Sequence, residues 1–210
     1  MPTPPLPTKK YAAIVIDPPW QYNSSRALVG NGGRGDDNGR VKLMKQVDVE
    51  SHYNTMSLEE LERLELPAKD NCLLFMWVTN PFLCDGSGPR IVKKWGFTPK
   101  SVITWAKTQQ GNSQPSMKTG HWFRSASEHV IFAVKGTIKR PNDFPPLPTW
   151  FPCERLGHSV KPTKIHEYAE LATPEGPWLE MFARDYYPNW DSWGNEVPSL
   201  FEELVIREGD

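Results

Sequence analysis

Four consecutive residues, Asp17-Pro18-Pro19-Trp20, set an acceptor-only carboxylate beside a flat apolar ring. They follow Tyr11-Ala-Ala-Ile-Val-Ile16, a short apolar run that reads as a buried strand. Two prolines cannot continue a strand ladder, and their rings lock φ. Pro18 also pushes Asp17 out of the α region. The expected result is a stiff turn at the carboxyl end of a strand, where open α/β sheets build their ligand sites. Such a turn suits a planar base with an exocyclic amine. Asp17 and a proline carbonyl would accept hydrogen bonds from the NH2 group while Trp20 stacks on the ring. Taken alone, the tetrapeptide reads equally well as a strand end, a proline turn and a core tryptophan.

Other apolar runs position further polar groups. Asn71 to Thr79 predicts a second buried strand, which Asn80-Pro81 ends as a loop. Ser101 to Ala106 predicts a third strand feeding Lys107, and His129 to Val134 a fourth that starts just after Glu128. Trp178 to Ala183 predicts a fifth, ending in Arg184. Between them lie three predicted helices. The first starts at Ser57, whose spacing to Glu60 is a capping box, and Pro67 ends it. The second spans Pro89 to Trp95 with Gly96 as its stop, and the third Thr163 to Ala172. Lys139 to Pro152 reads as proline-rich and irregular. Strands alternating with helices imply a mostly parallel or mixed sheet with helical cover. If the polar strand ends share one edge, Asp17, Asn80, Lys107 and Arg184 line one cleft. Glu128 reads either as an exposed strand end, which its position alone favours, or as a polar group facing a bound base.

Composition narrows the class. The chain has 210 residues, 38% hydrophobic and 23% charged, which fits one soluble globular domain with a sizeable core. Its net charge of −1 gives no global signature of nucleic-acid binding, so any such surface is a local patch. Three widely spaced cysteines, Cys72, Cys84 and Cys153, suit a reducing compartment and neither a disulfide framework nor a zinc site. No metal is expected from the histidine spacing. No run approaches the ~20 apolar residues of a membrane span. The first ten residues, with four prolines and no apolar core, are expected to form an extended, mobile arm before a domain over 11–197. An acidic tail over 198–210 follows, and the location expected is cytoplasmic.

Gly30-Asn31-Gly32-Gly33-Arg34-Gly35 formally matches G-x-G-x-x-G, but no strand runs into it and Asp36-Asp37-Asn38-Gly39 stands where a helix should open. It reads as a loop. From Arg26 to Lys45 there are five basic residues and two acidic ones, a balance that suits either a phosphate-gripping loop or a solvated insertion.

Eight blocks in order give the chain a resemblance to the MT-A70 family of N6-adenine methyltransferases. They are Asp17-Pro-Pro-Trp20, Tyr53-Asn-Thr-Met56, Leu74-Phe-Met-Trp-Val-Thr79, Trp105-Ala-Lys107, Gly120-His-Trp122 with Glu128-His129, His158-Ser-Val-Lys-Pro162, Leu179-Glu-Met-Phe-Ala-Arg184 and Trp193-Gly-Asn195. The resemblance covers Tyr11 to about Val197 and looks closest to compact bacterial and phage members. It implies an α/β fold, a Rossmann-like class I methyltransferase sheet with helices on both faces. The amine-binding half comes first in the chain and the cofactor-binding half last. It implies S-adenosylmethionine as methyl donor. Asp17, Pro18, Pro19 and Trp20 are implied as the catalytic turn that orients the target amine. Tyr53, Glu128, Trp122 and Lys107 are implied on the substrate side. Lys161, His158, Glu180, Phe182, Arg184, Asn195 and Glu196 are implied on the cofactor side, with Lys161 pairing the methionine carboxylate.

The expected reaction is N6 methylation of adenine in nucleic acid, with DNA favoured over RNA because the resemblance is to compact members. Alternatives are an RNA adenine methyltransferase, a catalytically silent nucleic-acid-binding partner subunit, or an enzyme with a small-molecule acceptor. A homo- or hetero-oligomer remains open. Specificity would reside in Gln21–Ser51, Thr108–Thr119, Lys139–Pro152 or a partner chain.

Overall fold

A computed structural model describes residues 4–22, 55–117, 122–155, 160–195 and 197. Seven strands form one sheet: β1 (Tyr11–Ile16), β2 (Ala68–Val78), β3 (Thr98–Thr108), β4 (Ser127–Lys135), β5 (Trp150–Glu154), β6 (Trp178–Met181) and β7 (Asp191–Trp193). Their order across the sheet is β5-β3-β4-β2-β1-β6-β7. β1 runs parallel to both β2 and β6, β6 parallel to β7, and β3 parallel to β5. Only β4 opposes its neighbours, pairing antiparallel with β2 and β3.

Near-continuous apolar runs are what a sheet covered on both faces requires. In β1, Ile14 and Ile16 join one core cluster, while Ala13 and Val15 join the other. The first cluster packs under α1 (Leu58–Glu62) and α3 (Ser87–Lys94), through Leu61, Ile91 and Val92. The second packs under α4 (Lys164–Ala172), through Ile165, Tyr168 and Ala169. Helices therefore cover both faces, and the architecture is a Rossmann-like mixed sheet. β1 is its switch point: β2 and β6 flank it, reached past helices on opposite faces. Ligand crevices form at the carboxyl ends of strands at such points, and Asp17 follows β1 there.

Three elements, α2, β5 and β7, differ from the sequence expectation, β7 being a three-residue strand that the sequence reading does not predict. Asn80-Pro81 does not open a loop but starts α2 (Asn80–Cys84), because proline at a first helical turn gives up an N–H that would be unsatisfied anyway. The proline-rich stretch ends in β5, with Pro152 opposite Ala106 of β3. Proline in a strand is tolerated at a sheet edge, and β5 is the edge strand. The Ser57–Glu60 capping box is present, with Glu60 N donating to Ser57 Oγ at 3.2 Å and Ser57 N to Glu60 Oε2 at 2.7 Å. α1 nonetheless ends at Glu62, before Pro67. Gly96 stops α3 at φ +82°.

The described part of the N-terminal arm is docked and not free. Trp193 Nε1 donates to the carbonyls of Pro4 and Pro5 at 3.1 and 3.0 Å, Lys9 pairs with Asp191 at 2.7 Å, and Leu6 packs on the first core cluster.

Candidate active site

The antiparallel setting of β4 decides the site. It brings the amino end of β4 to the edge where β1, β2, β3 and β6 present their carboxyl ends. Glu128 thus stands opposite Trp105 in β3, next to Lys107, and is no free strand end. Lys161, just ahead of α4, reaches the same edge from the other side.

These groups form a row of alternating charge. Lys161 Nζ donates to Asp17 Oδ2 at 2.6 Å and lies 3.4 Å from Glu128 Oε2. Lys107 Nζ bonds the other Glu128 oxygen, Oε1. Lys107 is almost fully buried, and Asp17, Glu128 and Lys161 are each less than a fifth exposed. Burial would raise the Glu128 carboxyl, but Lys161 and Lys107 outweigh it and hold the group below the usual carboxylate range. Burial would likewise lower Lys161, but Asp17 and Glu128 outweigh it and hold the ammonium above the usual lysine range. Two indoles floor the row. Lys161 Nζ lies 5.6 Å from the Trp77 ring centroid, and Lys107 Nζ 4.9 Å from that of Trp105. The two rings meet edge to face at 6.0 Å.

His129 ties the strands behind this row. Its Nε2 is 2.6 Å from Asn80 Oδ1, and its Nδ1 is 3.0 Å from Thr104 Oγ1. A neutral ring satisfies both contacts: Nε2–H donates to the amide oxygen, and Nδ1 accepts from the hydroxyl. Burial favours that neutral form by lowering the imidazole below its ordinary range. Asn80 thus reaches the edge as a support for His129.

The Pro-Pro turn is braced through its own backbone. Trp20 N donates to Pro18 O at 2.8 Å, and Met56 N to Pro19 O at 2.8 Å. Asp17 N donates to Met181 O at 3.4 Å, which ties the turn to β6. Trp20 itself is core: it is buried and stacks on Phe82 with centroids 4.5 Å apart. The more accessible aromatic of this region is Tyr22. It leans on Phe82 at 5.1 Å, donates or accepts at Thr79 Oγ1 over 3.0 Å, and lies within electrostatic range of Asp17, Glu128 and Lys161. The sequence reading missed Tyr22, Trp77 and Trp105 as site residues. The signal available for Tyr22 was its place two residues beyond Trp20.

The remaining candidates divide. Phe182 takes a left-handed backbone at φ 58° and meets Trp193 edge to face at 5.2 Å. Arg184 and the exposed Asn195 follow β6 and β7 at the same carboxyl edge. Glu180 lies on the opposite, α4-covered face, 3.1 Å from His166 Nε2. Trp122 projects into solvent at 89% exposure. Tyr53, His158, Glu196 and the Gly30–Gly35 loop lie outside the described residues. A concavity of about 520 Å³ opens elsewhere, beside α4, lined in part by Asp143, Glu167, Glu170 and Trp178. It shares no residue with the ion-pair row. Among the described residues no group of three or more His, Cys, Asp or Glu could hold a metal ion, and no helix is long and apolar enough to cross a membrane.

The sequence pattern of the MT-A70 family matches residues 11–196. The chain is 30% identical to the Type II methyltransferase M.MunI of Mycoplasma sp over 207 residues, covering 97% of this chain and 85% of that one. It is 27% identical to the Drosophila melanogaster N(6)-adenosine-methyltransferase MT-A70-like protein over 198 residues, 91% of this chain and 28% of the relative. It is also 27% identical to the human N(6)-adenosine-methyltransferase catalytic subunit METTL3 over 195 residues, 91% of this chain and 29% of that subunit. This chain thus spans less than a third of those two animal relatives. With the matched region running from the first residue of β1 past the end of β7, over the whole ion-paired edge, the chain belongs to the MT-A70 family and is a methyltransferase.

Proposed function

We propose that the protein transfers the methyl group of S-adenosylmethionine to N6 of adenine in DNA, acting in the cytoplasm through one catalytic domain over 11–197, followed by an acidic tail over 198–210. The observation that carries this reading is Asp17 at the switch-point strand end, braced by the Pro-Pro turn and held by Lys161 beside Glu128. DNA is favoured by the likeness to the Type II methyltransferase, which covers 97% of this chain and 85% of that one.

The residues present fit the donor in kind. Gly194 packs so tightly that a Cβ would stand 2.6 Å from the Ala183 carbonyl oxygen, so bare backbone faces the edge beside Asn195. Lys161, Arg184 and Asn195 are the donors suited to its carboxylate and ribose. Once bound, S-adenosylmethionine supplies an electrophilic methyl group. The chain's own work is at the acceptor. Adenine N6 is a weak nucleophile because its lone pair is delocalised into the ring. Lys161 takes Oδ2 of Asp17, which leaves Oδ1 to accept an N–H of the amine, and the Pro18 carbonyl keeps a second lone pair for the other. Those bonds favour a more tetrahedral nitrogen with its lone pair aimed at the methyl carbon. Positioning and preorganised charge then carry the catalysis. No strong base is needed before transfer, since the product nitrogen can lose its proton afterwards. A duplex target must first leave the stack.

The test is nucleoside mass spectrometry after incubation with methyl-labelled S-adenosylmethionine and unmodified DNA or RNA in parallel. Labelled N6-methyldeoxyadenosine is expected, falling about 100-fold or more in Asp17→Ala, the scale of losing one preorganised electrostatic contact. Label in RNA alone would overturn the DNA assignment and keep the chemistry. No label in either polymer from protein that binds the cofactor would favour the silent-partner reading or a small-molecule acceptor.

A further inference from the structure

A net charge of −1 conceals a division along the chain. Residues 86–117 include five basic side chains and no acidic one, and residues 129–142 three basic and none acidic. The rest of the chain carries sixteen basic residues and twenty-five acidic ones. Charge segregated in this way gives a strong local potential on a molecule whose total is near zero.

The fold gathers the basic part at one end of two neighbouring strands. β3 starts where β4 stops, with Thr98 opposite Val134. Lys100 lies two residues into β3. Lys135 is the last residue of β4, its ammonium 6.0 Å from the Phe97 ring centroid. Lys93 and Lys94 end α3 just ahead of β3, and Lys139 and Arg140 follow β4. Five of these six are exposed and Lys135 is half-buried. None of them enters an ion pair among the described residues. Asp70, the carboxylate at the adjoining start of β2, has Lys69 beside it in the chain. The helix dipole accounts for cations at the end of α3, so Lys93 and Lys94 alone would be ordinary. It does not account for Lys100, Lys135, Lys139 and Arg140, which lie on strands or beyond them.

Position and chemistry choose the occupant. This end of the sheet is the one opposite the ion-paired row. Lys100 and Lys107 share β3 seven residues apart, a span of about 23 Å at the rise of a strand. A duplex advances about 3.4 Å per base pair, so that span is roughly seven base pairs. A protein partner would call for an apolar centre, and within α3, β3 and β4 the one exposed large hydrophobic is Val102, at 37%. Unpaired ammonium groups spread over a surface without such a centre fit phosphates, which lysine meets as a point charge.

We infer that Lys93, Lys94, Lys100, Lys135, Lys139 and Arg140 form a second contact surface for the nucleic-acid substrate, holding phosphates of the duplex that flanks the target base. This rests on the nucleic-acid reading above and adds a contact remote from the reacting edge.

The experiment compares the full-length wild type, Lys93→Ala/Lys94→Ala/Lys100→Ala and the charge-preserving Lys93→Arg/Lys94→Arg/Lys100→Arg. Fluorescence anisotropy would follow a labelled DNA duplex of about 30 base pairs over a series of salt concentrations. Labelled methyl transfer would be measured on that duplex and on one of about 10 base pairs, too short to reach from the row to this end. Titration calorimetry with S-adenosylmethionine and sedimentation velocity would run on the same samples. The alanine triple should bind the long duplex about ten-fold or more weakly, with the slope of log affinity against log salt shallower by about 2–3. Its KM should rise on the long duplex and stay unchanged on the short one, with kcat and cofactor affinity unchanged. The arginine triple should stay near wild type throughout. Equal affinity and equal salt slope in wild type and alanine triple would overturn the surface while leaving the methyltransferase reading intact. An equal rise of KM on both duplexes would overturn the remote placement of the contact. Dissociation of a wild-type oligomer by the alanine triple, at unchanged duplex affinity, would assign the cations to a protein interface instead. A wild type that neither binds nor methylates any polynucleotide would sink the nucleic-acid reading and this surface with it.

Discussion

Lys161 stands between two carboxylates, Asp17 and Glu128. Its ammonium and that of Lys107 hold Glu128 low against a burial effect that acts the other way. A carboxyl depressed in the folded state contributes stability above its unfolded pKa, and that stability is lost as pH falls through the folded value. Lys161 is raised, so its contribution is complete below the unfolded lysine value and is lost as pH rises through the folded one. The row is therefore at full strength between the carboxylate and lysine ranges. Replacing Lys161 by Met leaves Asp17 and Glu128 without their shared cation. Glu128 should then titrate higher, because the cation now lowering it is gone. The expected outcome in Lys161→Met is a lower maximal rate and an acidic limb of the pH–rate profile displaced upward. Both are read from labelled methyl transfer measured from pH ~5 to ~8. An unmoved acidic limb would show that Glu128 does not govern the rate.

At the scale of elements, the β6–β7 edge depends on a close backbone approach. Gly194 lies where an added Cβ would be 2.6 Å from Ala183 O and 2.9 Å from Ala183 N, and both are backbone atoms that cannot swing aside. Ala183 N already donates to Trp193 O at 3.0 Å, and Phe182 before it holds a left-handed φ against Trp193. Gly194→Ala must spread this turn. The expected loss is about 1–3 kcal/mol, as for other overpacked sites, read as a lower urea midpoint at unchanged slope. S-adenosylmethionine binding should weaken in the folded variant, because Asn195 moves with the turn. The α1 cap shows the opposite economy, since a single serine and glutamate supply each other's missing partners at the start of a five-residue helix.

Over the whole molecule, the N-terminal arm and the last strand close on each other. Lys9 and Tyr11 both donate to Asp191 Oδ2, at 2.7 and 2.8 Å, while Trp193 reaches back to Pro4 and Pro5. β7 is an edge strand of three residues, too short to hold itself by ladder bonds. Deleting residues 1–8 removes the carbonyls that Trp193 Nε1 uses and uncovers the apolar surface under Leu6. A loss of about 1–3 kcal/mol is expected, the scale of one orphaned donor plus one apolar side chain. Chemical denaturation checks it, and an unchanged midpoint would mean that the arm merely rests on the surface.

The sequence by itself determined the strand-turn unit at Asp17, the alternation of strands and helices, the capping box at Ser57 and the family. Each of these is written in contiguous residues, as an apolar run, a proline pair, a fixed spacing or blocks in order. Tertiary structure alone decided how the polar ends meet. β4 runs against its neighbours, and that direction is set by pairing with distant strands, so Glu128 could not be placed at the active edge from its local context. β5 was masked by Pro152, which local propensity penalises and an edge position tolerates. Trp20, expected to face the base, packs into the core, and the more accessible ring is Tyr22, for the same reason. Which of two nearby rings stays accessible depends on Phe82, about sixty residues away, and a side chain's exposure belongs to the packed molecule and not to the string of residues.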